Sequence, residues 1–163
     1  MRLPVQNVGL AKTGAGGSMS GGSVLSIPES RIGCDVMTVG HVRSSVERFG
    51  DRYLTRIFTP HELETCEGPA RTQRLAARFA AKEAVVKVLR PGDVALPWQS
   101  IEIRRESWGG CGVRLSGNAS ALAERQGLGG FDVSISHEAD VAIAMVTASR
   151  LGTPPHHQGE RHP

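Results

Sequence analysis

The stretch "ARTQRLAARFAAKEAVVKVLR" (residues 70–90) predicts a long helix around which the rest of the chain is organised. Pro91-Gly92 ends the helical pattern. Six cations but only one anion, Glu83, lie between residues 71 and 90. Such local positive charge suits a small phosphate-bearing ligand or an acidic partner protein. Four apolar residues recur at helical spacing and predict a buried stripe: Leu75, Phe79, Val86 and Leu89.

Shorter elements are predicted before this helix. "RIGCDVMTV" (31–39) indicates a strand that ends near Asp35 to Met37. "HVRSSVERFGDRYLTRIF" (41–58) has helical spacing with a break at Gly50. "TPHELETCE" (59–67) has Thr59 as an N-cap, Pro60 at the first helical position and Glu62 three residues after the cap. This arrangement predicts a helix start with a capping box.

Two hairpins are predicted after the long helix. Alternating apolar residues on both sides of Gly109-Gly110 indicate the first hairpin, over residues 98–117. A short helix follows over 118–127 and ends at Gly127. The second hairpin covers 131–148 and turns at "HEAD", and its return strand, Val141 to Val146, has the composition of a buried strand. The order of elements predicts an α+β domain with an antiparallel sheet rather than parallel crossovers.

Composition divides the chain into one domain with two tails. Residues 1–30 include a Gly/Ser-rich leader and residues 150–163 a polar tail, and both are expected to be disordered. The domain is therefore predicted at 31–149. It holds 15 Lys and Arg against 14 Asp and Glu, a net charge of +1. This balance, with only seven aromatic residues in the chain, disfavours a nucleic-acid binder.

The three cysteines and the hydropathy pattern bear on the compartment. Cys34, Cys66 and Cys111 have neither the count nor the spacing of a disulfide framework or a zinc site, which favours the reducing cytoplasm. No run approaches the roughly 20 apolar residues that span a bilayer, so no membrane contact is expected.

Asp35 and Glu83 are the acidic residues in unusual settings. An aspartate in an apolar strand is disfavoured unless it is paired or metal-bound, although a strand-end aspartate can also cap the next turn. Glu83 stands four residues before Lys87, which is the spacing of an ordinary helix salt bridge. Small apolar flanks and one-sided positive charge instead allow a carboxylate that helps Asp35 hold Mg²⁺. These alternatives stay open on the residues alone.

His137 follows "SIS" at a predicted strand end. A lone histidine is more often structural than catalytic. Yet Ser134, Ser136 and His137 are close in sequence where hydroxyls and an imidazole can donate to phosphate oxygens.

Several blocks, taken in order, resemble the holo-[acyl-carrier-protein] synthases, the short 4′-phosphopantetheinyl transferases. The blocks are "IGCDV" (32–36), "FTPHEL" (58–63), "RLAARFAAKEAVVKVL" (74–89), "WQSIEI" (98–103), "VRLSGNASALA" (113–123) and "VSISHEADVAIAMV" (133–146). The resemblance implies transfer of the phosphopantetheine arm of coenzyme A to a serine of an apo acyl carrier protein, with release of 3′,5′-ADP. It also implies a homotrimer with active sites between subunits.

The resemblance implies a role for each matching residue. Asp35 and Glu83 would ligate Mg²⁺ together with the diphosphate of coenzyme A. Glu83 would also act as general base, directly or through a water held by the metal, and Lys87 would stabilise charge on the diphosphate and leaving group. Four further residues are implied in the coenzyme A site: Arg78, Lys82, Ser136 and His137.

The sequence also departs from the family pattern. Thr38 and His41 stand where the family usually has an acidic and a basic residue, and Gly110-Cys111-Gly112 replaces a Gly-x-Pro turn. Four arginines remain where the carrier docks: Arg43, Arg48, Arg52 and Arg56. These departures suggest a pathway-dedicated enzyme with its own carrier, for example in polyketide synthesis. A member that binds carrier or coenzyme A without catalysis is the alternative, and the intact acidic and basic residues disfavour it.

Overall fold

The computed structural model describes residues 29–151, so the predicted leader and tail lie almost entirely outside the described part. Ten helices and strands follow one another: β1 (Ser30–Thr38), α1 (Val39–Phe49), α2 (Asp51–Ile57), α3 (Pro60–Thr65), α4 (Arg71–Leu89), β2 (Ile101–Arg105), β3 (Cys111–Leu115), α5 (Gly117–Arg125), β4 (Leu128–Glu138) and β5 (Val141–Arg150). A 3₁₀ turn, Trp98–Ser100, precedes β2. No helix within this part is long and apolar enough to cross a membrane.

The five strands form one antiparallel sheet in the order β1-β5-β4-β3-β2. Two hairpins supply β2–β3 and β4–β5, and β1 adds to the free edge of β5. The predicted α+β class and antiparallel sheet are confirmed. The Gly50 break and the capping box at Thr59 are also confirmed, because α1 and α2 separate at Gly50 and the Thr59 and Glu62 side chains cap reciprocally.

α4 is buried on more sides than a single stripe. Twelve of its 19 residues are buried, whereas Val86, one of the predicted stripe positions, is only half-buried. The C-terminal half packs against the sheet, and the N-terminal half packs among α1 to α3. Because α4 has neighbours around most of its circumference, the prediction of one buried stripe was too narrow.

β1 approaches α4 closely because Gly33 lacks a side chain. A Cβ placed on Gly33 would lie 2.2 Å from the backbone oxygen of Ala84. The strand therefore runs almost against the helix backbone at this point. Asp35, two residues further along β1, lies on the same face of the strand as Gly33 because strand side chains alternate. The contact at Gly33 thus brings Asp35 to the C-terminal half of α4.

The other side of the sheet carries an exposed apolar surface. In β5, buried Ala142, Ala144 and Val146 alternate with residues of the opposite face. The prediction that Val141 to Val146 is a buried strand was wrong for that face, because the helices cover only one side of the sheet. We call the uncovered apolar residues the outer sheet face: Ile32, Val36, Val141, Ile143 and Met145, each more than 40% exposed.

Candidate active site

Asp35 and Lys87 connect β1 to α4. The Lys87 ammonium lies 2.8 Å from Asp35 Oδ1 and donates a second hydrogen bond, 2.7 Å long, to the Cys34 carbonyl oxygen. The hydrogen bond to Asp35 raises the pKa of Lys87, so the ammonium stays charged. Asp35 does not cap the following helix, because the Thr38 hydroxyl accepts the hydrogen bond from the His41 N–H at the start of α1.

Glu83 lies beside this pair without an ion pair of its own. Within residues 29–151 no salt bridge joins Glu83 to Lys87, so the ordinary helix pair is not formed. Burial raises the pKa of the Glu83 carboxyl, the charge of Asp35 raises it further, and Lys87 opposes both effects. A half-buried carboxyl with a raised pKa is suited to accept a proton near neutral pH.

Two carboxylates with interacting charges are suited to hold a divalent cation. Mg²⁺ is commonly bound by one or two carboxylates, and substrate phosphates and water complete its ligands. Asp35 and Glu83 match that donor set, and their mutual repulsion is what a cation between them would relieve. The described residues contain no group of three acidic, histidine or cysteine side chains that could hold a metal by themselves.

A cavity of about 320 Å³ opens at the N-terminal half of α4. Arg78 lines it and is only 7% exposed. The guanidinium makes two long hydrogen bonds, 3.5 Å to the Arg74 carbonyl oxygen and 3.4 Å to the Thr65 hydroxyl, and its Nε has no partner among the described residues. A buried cation with a free donor favours an anionic ligand in the cavity. We call this space the arginine-lined cavity; its walls include Arg74, Arg78, Arg105, Trp108, Cys111 and His137.

His137 and Ser136 lie on opposite faces of β4. His137 is paired in register with buried Ala142 and lines the arginine-lined cavity, whereas Ser136 is paired with exposed Ile143 of the outer sheet face. Ser136 is not among the residues that line the cavity, whereas the resemblance implied that it contributes to the coenzyme A site. The physical reason is the two-residue period of a strand, which separates neighbouring side chains.

Lys82 is a structural residue in this fold. Its side chain is fully buried, and its ammonium lies 2.8 Å from Glu62 Oε2 while donating to the carbonyl oxygens of Trp98 and Ile101. Burial lowers the pKa of Lys82, and the Glu62 carboxylate opposes that effect. All three ammonium protons have acceptors, so Lys82 has no free donor for the contact with coenzyme A that the resemblance implied.

Three charged or aromatic residues of the cavity wall were not predicted from the sequence: Arg74, Arg105 and Trp108. Arg74 is one helical turn before Arg78, so its presence could have been inferred from the helix spacing. Arg105 and Trp108 come from the β2–β3 hairpin, and the 73% exposed Trp108 ring lies against Gly110. Trp108 could have been noticed as an aromatic residue beside the Gly109-Gly110 turn. Its place in the cavity could not, because that depends on how the hairpin packs against α4.

The two groups of residues lie on different sides of α4. Arg78 and Glu83 are five positions apart, which corresponds to a rotation of about 140° around the helix axis. Asp35, Glu83 and Lys87 therefore form one half-site, and the arginine-lined cavity forms another.

Comparison with known proteins identifies the family. The pattern of the 4′-phosphopantetheinyl transferase superfamily matches residues 31–146. The chain belongs to this superfamily. Its sequence is 44% identical to a holo-[acyl-carrier-protein] synthase of Desulforudis audaxviator over 118 residues, 72% of this chain and 90% of that protein. The corresponding protein of Halothermothrix orenii is 39% identical over 116 residues, 71% of this chain and 93% of the relative. The predicted phosphopantetheinyl transferase is thereby confirmed.

Solved structures of the superfamily share the fold. Holo-[acyl-carrier-protein] synthase of Helicobacter pylori, in complex with coenzyme A, has a TM-score of 0.65 and 29% identity and covers 73% of this chain and 100% of its own. The enzyme of Neisseria meningitidis has a TM-score of 0.65 and 32% identity over 72% of this chain and 96% of its own.

Proposed function

We propose that the chain transfers the 4′-phosphopantetheine arm of coenzyme A to a serine hydroxyl of an apo acyl carrier protein and releases 3′,5′-ADP. The observation that carries this proposal is the half-site in which Glu83 lies beside the Asp35–Lys87 pair on α4. It supplies a proton acceptor, a second carboxylate and a cation within one small region. Relatives named for this activity support the substrates.

Each residue of the half-site has a role in the proposed transfer. The serine oxygen attacks the phosphorus that carries the pantetheine arm, and the bond from that phosphorus to the bridging oxygen of 3′,5′-ADP breaks. Glu83 takes the serine proton, and Lys87 stabilises negative charge on the leaving diphosphate oxygen. Asp35 holds Lys87 in place and shares with Glu83 the role of binding Mg²⁺. When bound, Mg²⁺ would neutralise charge on the diphosphate, which is the main requirement of phosphoryl transfer.

The arginine-lined cavity is the proposed place for phosphate groups of coenzyme A. Arg78 offers its unpartnered Nε, and His137 is exposed at the end of β4. Arg74 and Arg105 add positive charge to the cavity walls. Ser136, on the outer sheet face, can contribute only to a site formed with another subunit.

A homotrimer is part of the proposal because the two half-sites lie on different sides of α4 within a single subunit. The rotation of about 140° between Arg78 and Glu83 keeps both from facing the same ligand in one chain. An oligomer with cyclic symmetry can bring the cavity of one subunit to the carboxylates of its neighbour. The outer sheet face, with its five exposed apolar side chains, supports such an association.

The proposed docking surface for the carrier lies on α1 and α2. Arg43, Arg48, Arg52 and Arg56 are all exposed there, and Phe49 and Tyr53 join two of these arginines around a second cavity of about 330 Å³. An acidic carrier would complement this surface. A pathway-dedicated carrier, for example in polyketide synthesis, remains our hypothesis; equal rates on fatty-acid and polyketide apo carriers would count against it. Three free thiols support a reducing, cytoplasmic setting.

The direct test is the mass of the carrier. The chain is incubated with coenzyme A, Mg²⁺ and an apo acyl carrier protein, and the carrier is weighed by mass spectrometry. The proposal requires that the carrier gain one phosphopantetheine group and that chelation of Mg²⁺ stop the gain. A carrier that binds but gains no mass with several apo carriers would instead indicate a binding protein without this activity.

A further inference from the structure

Cys111 is a thiol in a cationic setting. It is the first residue of β3 and lies opposite Arg105 on β2 and Val133 on β4. The side chain is partly exposed and lines the arginine-lined cavity. Reactive cysteines are found in partly exposed, electropositive surroundings of this kind, whereas buried ones are inert. The position of Cys111 thus meets the structural requirements for a reactive thiol.

A second feature indicates that the cavity attracts anions. Arg78 is only 7% exposed, and its Nε has no hydrogen-bond partner among the described residues. Arg74 and Arg105 add two further positive charges to the same walls. Among the described residues that line the cavity there is no Asp or Glu. Glu106 follows Arg105 in the chain, and its Oε1 lies near Gly112.

The other two cysteines provide internal comparisons. Cys34 is exposed on β1 between Ile32 and Val36 of the outer sheet face, and the cation near it, Lys87, is already paired with Asp35. Cys66 is fully buried, and burial raises the pKa of its thiol. Only Cys111, of the three, combines access with arginine side chains around it.

We propose that Cys111 is a modification site for disulfides that carry phosphate or carboxylate groups. In the exchange, the Cys111 thiolate attacks one sulfur of the disulfide, the original S–S bond breaks, and a new S–S bond joins that sulfur to Cys111. The other half leaves as a thiolate, so the disulfide itself is the oxidant. The attached group occupies the arginine-lined cavity, and a free thiol in excess reverses the reaction.

The modification has a functional consequence that rests on the proposed function. If phosphates of coenzyme A bind in the arginine-lined cavity, an anionic group attached to Cys111 excludes them and stops transfer. The disulfide of coenzyme A itself belongs to the reactive class, because its phosphates are those for which the cavity is proposed. The activity of the chain would then respond to the ratio of thiol to disulfide.

The test compares reagents of different charge on the full chain. The anionic reagent is 5,5′-dithiobis(2-nitrobenzoate), which carries a carboxylate on each half, and the neutral reagent is 2,2′-dithiodipyridine. Rates at Cys111 and Cys34 are measured separately by using Cys34→Ser and Cys111→Ser, and labelled peptides are identified by mass spectrometry. We expect the ratio of anionic to neutral rate to be at least about tenfold higher at Cys111, because convergent charge accelerates encounters. This excess should fall with salt.

Arg105→Gln provides the matched control for charge. It should lower the rate of the anionic reagent at Cys111 and leave that of the neutral reagent little changed. Equal charge preference at Cys111 and Cys34, or a preference that is insensitive to salt and to Arg105→Gln, would overturn the proposal. Charge-selective labelling that leaves the transfer rate unchanged would uphold the modification site and contradict the proposed position of coenzyme A.

Discussion

The carboxylate of Asp35 and the ammonium of Lys87 are 2.8 Å apart and join the first strand to the central helix. This contact positions Asp35 beside Glu83, and the charge of Asp35 contributes to the raised pKa of the Glu83 carboxyl. Asp35 therefore has two proposed roles: it orients Lys87 and provides a metal ligand.

Glu83→Gln should reduce transfer more than Lys87→Ala. The amide cannot accept the serine proton, and it is a poorer ligand for Mg²⁺, so loss of the base alone predicts a decrease of about 10²- to 10⁴-fold in kcat. Carrier mass measured over time gives the rate. Glu124→Gln, on the exposed side of α5, is the matched control and should retain the parent rate. Turnover by Glu83→Gln at the parent rate would refute the role of Glu83.

The Glu83 carboxyl should also make the stability of the fold depend on pH. The pKa of Glu83 is raised in the folded state, so ionising it becomes unfavourable for folding as the pH rises through that pKa. Glu83→Gln should therefore melt at a higher temperature than the parent at pH 8 with Mg²⁺ chelated. The difference should shrink as the pH falls toward the ordinary glutamate pKa of 4.5 and should vanish below it, where the carboxyl is protonated in both states. Glu47→Gln, at an exposed position of α1, should show no such trend. A constant difference across pH would contradict this explanation.

Gly33→Ala should separate β1 from α4. The added Cβ would lie 2.2 Å from the backbone oxygen of Ala84, and backbone cannot move aside as a flexible side chain can. Overpacking of this kind costs about 1–3 kcal/mol in the free energy of unfolding, and displacement of Asp35 should lower the transfer rate as well. Chemical denaturation and the carrier assay measure the two effects.

Gly112→Ala is the control for that experiment. It also adds a Cβ in a strand, but the nearest atom is the carboxylate oxygen of Glu106, at the end of a flexible side chain. It should cost less stability than Gly33→Ala. Equal losses in the two variants would show that the close approach of Gly33 to Ala84 is not the cause.

From the sequence it was possible to predict the kind of site, one of carboxylates and cations. It was not possible to predict which side chains surround each charged residue. Charge in apolar segments drew attention to Asp35 and Glu83 but left structural and metal-binding roles open, and the family resemblance supplied the roles of Asp35, Glu83 and Lys87. Lys82 and Glu83 are adjacent in sequence, and both were predicted in the site. Lys82 instead pairs with Glu62, a contact that forms only in the folded chain and that the sequence does not reveal. Ser136 and His137 were both predicted in the coenzyme A site because they are adjacent in sequence. The alternation in β4 places them on opposite faces, but it does not reveal which face the helices cover. Local patterns therefore predicted elements and caps, while burial of each charge depended on tertiary contacts.

Lys82→Met should destabilise the fold without weakening coenzyme A binding by the folded protein. It leaves the Glu62 carboxylate buried without its cation, and breaking a buried pair typically costs about 3–5 kcal/mol. Arg78→Met should have the reverse pattern: the KM for coenzyme A should rise at least about tenfold, as expected for a lost hydrogen bond to a charged group. Urea unfolding and steady-state kinetics measure these quantities. If KM rose as much for Lys82→Met as for Arg78→Met, Lys82 would have to contact coenzyme A, contrary to the structural role assigned to it.

Mixing two inactive variants should restore activity if the half-sites combine across subunits. Glu83→Gln removes the base from one half-site, and Arg78→Met damages the other. In a ring of three subunits assembled at random from equal amounts, about one site in four would contain both intact halves. We therefore expect roughly a quarter of the parent rate after co-expression or joint refolding, measured at a coenzyme A concentration at which Arg78→Met alone is nearly inactive.

Asp35→Asn mixed with Glu83→Gln is the decisive control, because Asp35 and Glu83 lie in the same half-site of one subunit. No subunit in that mixture carries both residues, so the rate should stay at the level of the single variants. Recovery in both mixtures would indicate exchange of something other than half-sites. Recovery in neither, with a monomer in sedimentation analysis, would show that α4 brings its two faces to one ligand in another way and would contradict the proposed trimer.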